Sequence, residues 1–203
     1  MLNKDFHYVL KKEVFQVLIS CVDTIEVESY LVGGFVRDHL LSRGKARDID
    51  IVAVGSGIEL AKAVQKTLRG AKGVQVFKSY GTAMVQWRDI TLEFVGARKE
   101  SYSQESRNPL VTRGILEDDQ NRRDFTINAL AVSLNSHDRG TLIDPFNGLE
   151  DLENGIIRTP SDPGITYSDD PLRMLRAIRF ANQLNFKIDN QSLRAIQENA
   201  DRI

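Results

Sequence analysis

Apolar residues recur at helical spacing from the start of the chain. Over residues 4–22, Phe6, Val9, Leu10, Val14, Val17, Leu18 and Cys21 share one side, which predicts an amphipathic helix. The pattern then shortens. Apolar runs at 30–32 and 49–54 read as strands, separated by a Gly33-Gly34 pair and a helix over 35–41. Residues 58–68 return to helical spacing, with Leu60, Ala61, Val64 and Leu68 facing inward. Three short strands follow at 74–77, 82–87 and 91–95, the last two joined by an Arg88-Asp89 turn. Strand, helix, strand, helix and then a meander predict a mixed sheet with helices packed on it.

The second half is less regular. Residues 97–122 are polar, contain Pro109 and Gly114 and show no period, so they read as a long loop. A helix is expected over 124–129, running into a strand at 130–134. Asp144-Pro145 and Asn147-Gly148 are turn signals, a short segment covers 149–153, and Pro160 and Pro163 punctuate a second polar linker. Two helices, 169–184 and 190–203, follow. The division is therefore expected to fall between 1–160 and 161–203. In the last helix Leu193, Ile196, Ala200 and Ile203 form a stripe that needs something to bury against. The chain is on this account expected to be the N-terminal part of a longer protein.

Composition narrows the class. The chain has 203 residues, 41% hydrophobic and 27% charged, as globular proteins do. A net charge of -1 leaves no global electrostatic footprint for nucleic acid, so any basic surface must be local. The single cysteine, Cys21, excludes an internal disulfide and fits a reducing compartment. Lys4, Asp5, Lys11, Lys12 and Glu13 interrupt any leader-like apolar run, and no stretch has the roughly 20 apolar residues that span a bilayer. The expectation is a cytoplasmic protein with no membrane partner.

Three stretches carry candidate chemistry. In the first, Asp48 and Asp50 alternate along a strand, so both project from one face, roughly 7 Å apart. Such a pair repels itself unless a cation intervenes, and all-oxygen ligation suits Mg²⁺. By itself an Asp-x-Asp pair is common on surface strands. What distinguishes this one is the Gly33-Gly34 turn upstream, feeding a helix whose first N–H groups can meet a phosphate. Arg37 on that helix either reaches the same phosphate or pairs with Asp38. Glu93, between Leu92 and Phe94, either faces solvent or supplies a third carboxylate for ions held about 3.5–4 Å apart.

The second stretch runs from Arg122 to Ala129. Arg122 and Arg123 suit a polyphosphate, which arginine grips bidentately, while Asp124 and Asn128 could be only a helix cap and a backbone partner. In the third, Asp169 and Asp170 precede Pro171, and Arg173, Arg176 and Arg179 recur every three residues. Leu172, Leu175, Ile178 and Phe180 are expected on the packed side. Asp169 and Arg173, at i and i+4, would share a helix face. A carboxylate accepts from an amino group and a guanidinium donates to a ring nitrogen. Adenine and cytosine both present that pairing edge; guanine and uracil do not.

With these residues in view the sequence resembles the class II template-independent RNA nucleotidyltransferases of the DNA polymerase β superfamily. These are the tRNA CCA-adding enzymes and the bacterial poly(A) polymerases. The resemblance runs from Tyr30 to Phe186 through LVGGFVRDHLL, RDIDIV, RRDFTINALA, DPFNGLEDL and DDPLRMLRAIRFANQLNF, in that order. It implies an α+β fold: a polymerase β-like head, a mixed sheet with flanking helices, then an all-α neck. It implies Asp48 and Asp50 as Mg²⁺ ligands, with Glu93 as a third carboxylate. The turn at Gly33 and Gly34 with Arg37 would contact the nucleotide, Arg123 its phosphates, and Asp124 and Asn128 belong to the same motif. Asp169, Asp170, Arg173, Arg176 and Arg179 match the neck residues that bind ATP or CTP. The family commonly has Glu where this chain has Asp169, one methylene longer. The activity implied is transfer of CMP and AMP to a tRNA 3′ end. A-only addition, poly(A) tailing and a non-catalytic nucleotide- or RNA-binding module are the alternatives.

Overall fold

The computed structural model of this chain describes residues 2–44, 47–78, 81–103 and 106–203. The predicted first helix is two: α1 (His7–Leu10) and α2 (Glu13–Ile25). Between them the exposed Lys12 takes an extended conformation (φ -68°, ψ 148°) and starts α2. Then come β1 (Ser29–Val32), α3 (Gly34–Leu40), β2 (Asp48–Ala53), α4 (Gly57–Thr67), β3 (Gln75–Phe77), β4 (Thr82–Trp87) and β5 (Ile90–Gly96), as the pattern predicts.

Further on, β8 (Ala131–Ser133) and β9 (Leu142–Ile143) complete a seven-stranded sheet of order β3-β4-β5-β2-β1-β8-β9. Strands β2 and β5 run parallel; the other neighbouring pairs run antiparallel. Helices α2 and α4 cover one face, where Leu18, Leu31, Ile51, Leu60, Val64, Leu92 and Phe94 are all buried. Alternation sends Tyr30, Val32 and Val52 to the other face, with Ala97 and Ala131. Asp48 and Asp50 share the parity of Val52, so they leave the sheet on that second face.

Further expectations are corrected. The 97–122 stretch is not a loop. It forms a hairpin, β6 (Arg98–Ser103) with β7 (Ser106–Arg113), and then α5 (Leu116–Asn121); residues 104 and 105 of that expectation lie outside the described residues. A two-stranded ribbon outside the main sheet satisfies its backbone by pairing, so its apolar alternation is weak. Residues 124–129 hold only a 3₁₀ turn, Thr126–Asn128. Phe125 is extended, and the Asp124 carboxylate is engaged by Phe125 N and the Asn128 amide at its own turn.

The expected helix over 169–184 is broken at Asp170. It comprises α7 (Pro163–Asp169) and α8 (Leu172–Leu184), with α6 (Gly148–Asn154) earlier in the chain. Asp170 is extended (φ -138°, ψ 98°), as a residue before proline prefers. Helix α7 begins in the segment read as a linker because Asp162 caps it, accepting from Ile165 N, with Pro163 in its first turn. Finally, Leu172, Leu175 and Ile178 are 42%, 46% and 47% exposed; α8 packs through Met174, Ala177, Phe180 and Leu184 instead. The chain closes with α9 (Asn190–Asn199) and a 3₁₀ turn, Ala200–Arg202, while β10 (Ile156–Ile157) pairs in parallel with β11 (Lys187–Ile188). On α9, Ala195 is buried and Ile196 packs on the core, but Leu193 stays exposed, as does Ile203 beyond the 3₁₀ turn.

Candidate active site

The register of the sheet assembles the first cluster. Parallel pairing sets Asp50 beside Glu93 and Asp48 beside Thr91, and antiparallel pairing sets Asp50 opposite Val32. Leaving β1, the chain turns at Gly33 directly over Asp50. A Cβ on Gly33 would stand 2.9 Å from Asp50 Oδ2 and 3.2 Å from Arg123 Nη1. Gly33 also has φ +69°, so this close approach suits glycine on both counts. Helix α3, which begins there, is only 7 residues long. An anion here would meet the Gly33 turn and Arg123 more than a strong helix dipole.

Charge is crowded in this cluster. Burial pushes the Asp50 carboxyl up from its ordinary value, and the Asp48 and Asp119 charges add to that against the pull of Arg123. Glu93 is raised too, first by desolvation and then by Asp50 and Asp48. Among the described residues, no three His, Cys, Asp or Glu side chains close around a common point as a complete protein cage would. The arrangement is an open carboxylate edge.

These shifts have a sign that can be measured. A carboxyl whose pKa is raised by folding binds its proton more tightly in the folded state, so stability grows as pH falls from the raised value toward about 4. In metal-free buffer, Asp50→Asn should therefore melt higher than the unchanged protein at pH 7, and the difference should shrink at pH 5. Thermal melts in EDTA at the two pH values check this. An Asn variant that melts lower at pH 7 would contradict it.

Arginines make the second cluster. Arg37 is 4% exposed; its Nε donates to Asp38 Oδ1 (2.9 Å) and its Nη1 to Asn128 Oδ1 (2.7 Å). The Asn128 amide donates to Asp124 Oδ1 (3.0 Å), and Asp124 Oδ2 accepts from Arg176 Nε (2.7 Å) and Nη2 (2.6 Å). One relay thus runs from α3 to α8 through Arg37, Asn128, Asp124 and Arg176. Phe180 sits at its centre, with the guanidinium carbons of Arg37, Arg176 and Arg179 at 5.0, 5.3 and 4.8 Å from its ring. Gly34 adjoins Arg37, whose Nη2 lies 3.7 Å from where a Cβ would stand.

Asp169 and Arg173 lie on different helices, not on one face of one helix, yet remain electrostatic neighbours. Burial raises the Asp169 carboxyl, and Arg173 and Arg202 oppose that. Arg173 Nη2 also donates to the Arg122 carbonyl (2.8 Å), while Asp170 Oδ1 accepts from Leu172 N at the start of α8 (3.2 Å). The sequence reading missed Asp119 and treated Phe180 only as packing. Asp119 is completely buried and ion-paired to Arg122 and Arg123. Its i, i+3 and i, i+4 spacing to those arginines was the available signal.

Carboxylates on the adjoining parallel strands β2 and β5, a glycine turn above them and an arginine against that turn define the class. This is a nucleotidyltransferase fold: a mixed sheet flanked by helices. Residues 29–158 match the poly(A) polymerase head domain, and the chain belongs to that family. The A-adding tRNA nucleotidyltransferase of Aquifex aeolicus is 42% identical over 172 residues, covering 85% of this chain and 20% of its own length. The CCA-adding enzyme of a Geobacillus species is 40% identical over 195 residues, with 93% and 45% covered. A crystal structure of a tRNA nucleotidyltransferase complexed with a primer tRNA and an incoming ATP analog superposes with a TM-score of 0.78 at 37% identity. It covers 91% of this chain and 50% of that one. The chain therefore spans less than half the length of these curated relatives.

Proposed function

We propose that this chain is the catalytic part of a template-independent RNA nucleotidyltransferase that adds CMP and AMP, from CTP and ATP, to a tRNA 3′ end. The observation that carries the reading is the packing of Gly33 against both Asp50 and Arg123, which sets a metal-binding edge beside a phosphate grip. Identity of about 40% to tRNA nucleotidyltransferases supports the choice of acceptor.

The donor set fits Mg²⁺. Asp48, Asp50 and Glu93 offer only carboxylate oxygens, and the raised Asp50 and Glu93 carboxyls mark negative charge that a cation would relieve. An open edge suits an ion that keeps several waters and takes its other ligands from a triphosphate. When bound, Mg²⁺ supplies acidification of the RNA 3′-hydroxyl and neutralisation of triphosphate charge. The residues of the chain do the positioning. Asp48 and Asp50 hold the metal edge, Glu93 adds to its negative field, and Arg123 orients the phosphates over the Gly33 turn. Gly34, Arg37, Asn128, Asp124 and Arg176 brace the nucleotide's seat against α8. Asp169 and Arg173 read the amino group and ring nitrogen of adenine or cytosine, with Asp170 and Arg179 completing that wall. The 3′-hydroxyl then attacks the α-phosphorus and pyrophosphate leaves, a reaction carried by alignment and charge neutralisation.

The end of the family match at residue 158 supports a division into head and helical neck near 160. No helix of the described residues is long and apolar enough to cross a membrane. We place the protein in the cytoplasm with its tRNA. The deciding experiment uses full-length protein, Mg²⁺ and tRNA transcripts ending at the discriminator base, after C or after CC, with labelled CTP or ATP. Addition of CCA followed by a stop is the expected result. Addition of A alone to the CC-ending transcript would select the A-adding reading, which the Aquifex relative favours. A long A ladder on any RNA would mean a poly(A) polymerase. Absence of incorporation by protein that binds ATP would overturn the enzymatic reading in favour of a binding module.

A further inference from the structure

We propose that Asp119 is a positioning residue for the transfer reaction: its buried carboxylate fixes the orientation in which Arg123 presents one guanidinium nitrogen to the nucleotide's phosphates. This rests on the reading of Arg123 given above and adds to it the group that aims the arginine.

Asp119 has no solvent exposure, and both its oxygens are spent on guanidinia. Oδ2 accepts from Arg123 Nε (3.0 Å) and faces its Nη2 (2.9 Å). Oδ1 accepts from Arg122 Nε (3.0 Å) and also from Arg122 Nη2. Burial alone would raise this carboxyl, but the two arginines outweigh it and hold the group below its usual value, charged in the fold. Capping does not explain it, because Asp118, the neighbouring residue, takes that role by accepting from Ile115 N (3.0 Å).

The consequence lies at the far edge of Arg123. With Nε and Nη2 held by Asp119, the remaining nitrogen is Nη1. It makes one long bond to the Asn128 carbonyl (3.3 Å) and lies against the Gly33 turn beside Asp50. A guanidinium clamped along one edge presents the other in a single direction, so little freedom is lost when an anion arrives.

A point-charge role and a positioning role predict opposite results. Neutralising Asp119 makes the cluster more positive, which would tighten ATP binding if Arg123 served only as a charge. If Asp119 aims Arg123, ATP binding weakens instead, and AMP, with a single phosphate, is spared. The experiment measures equilibrium binding of ATP and AMP in Mg²⁺ to the full-length protein and to Asp119→Asn, Arg123→Ala and the double variant. ATP affinity should fall about tenfold to a hundredfold in Asp119→Asn with AMP affinity unchanged, and the double variant should be no worse than Arg123→Ala. Should Asp119→Asn fail to fold, Asp119→Asn with Arg122→Gln restores the net charge of the cluster, and the same loss confined to ATP is expected. Equal losses for ATP and AMP, or tighter ATP binding, would overturn the proposal. If Arg123→Ala binds ATP normally, the phosphate reading of Arg123 fails. If Arg123→Ala loses ATP while Asp119→Asn keeps it, only the positioning role fails.

Discussion

Replacing Asp50 with alanine is expected to lower nucleotide addition by on the order of a thousandfold or more while the protein stays folded. Most buried polar residues cannot be removed so cheaply. Here the carboxylate makes no hydrogen bond among the described residues, and burial raises its proton affinity, with Arg123 opposing and Asp48 and Asp119 adding to the rise. Its ionised form is disfavoured in the fold, so truncation removes the metal edge at little cost in stability. Asp48→Ala should behave alike, since Asp48 is exposed at the first position of β2 and packs nothing. Single-nucleotide incorporation paired with a thermal melt separates the two effects. Near-normal incorporation by either variant would remove the metal assignment.

Gly33→Ala is expected to strike the candidate site directly, because the added methyl group would meet both the carboxylate and the arginine there. The backbone there (φ +69°, ψ -139°) lies close to a region almost reserved for glycine, which costs about 1–3 kcal/mol for any other residue. The new Cβ would also press on Asp50 Oδ2 at 2.9 Å and Arg123 Nη1 at 3.2 Å. Both are side-chain ends and can yield, but only by moving the two groups whose placement matters. A loss of about a hundredfold in turnover is expected with the melting temperature lowered. The next residue supplies the control for stability. At Gly34 a Cβ would make ordinary contact with Arg37 Nη2 at 3.7 Å, in the first turn of a helix, so Gly34→Ala should melt like the unchanged protein.

Periodicity located the elements whose residues touch the main core. Strands β2, β4 and β5 and helix α4 each turn one face to the main core, and that face was visible as period 2 or 3.6, while the short β1 is buried on both faces and read as a plain apolar run. The β6–β7 hairpin and helix α7 were missed because neither shows a sustained apolar period: the hairpin is held by backbone pairing, and α7 by its Asp162 cap and the single buried ring of Tyr167. For α8 the period was right and the face was wrong. Arg173 and Arg176 turn toward the Arg122 carbonyl and Asp124, which rotates Leu172, Leu175 and Ile178 outward. Of the site, Asp48, Asp50, Gly33 and Arg123 could be named from order and spacing. That Asp124 gives its carboxylate to Arg176, 52 residues away, is a long-range fact that no local pattern records, whereas the i, i+4 spacing of Asp119 and Arg123 was there to be read.

The parallel seam between β2 and β5 also fixes when these groups can meet. Glu93 reaches Asp50 only after α4 has crossed over and the β3–β4 hairpin has returned. Arg123 comes later still, just after the β6–β7 hairpin and α5. Contacts at such sequence separation form late, after the entropy of closing the intervening loops has been met. A nascent chain would carry the glycine turn and both aspartates for some time without a complete seat for nucleotide. A ligand that needs all of these groups recognises only the finished fold: it acts as a brake on unfolding, with no part in guiding the chain there.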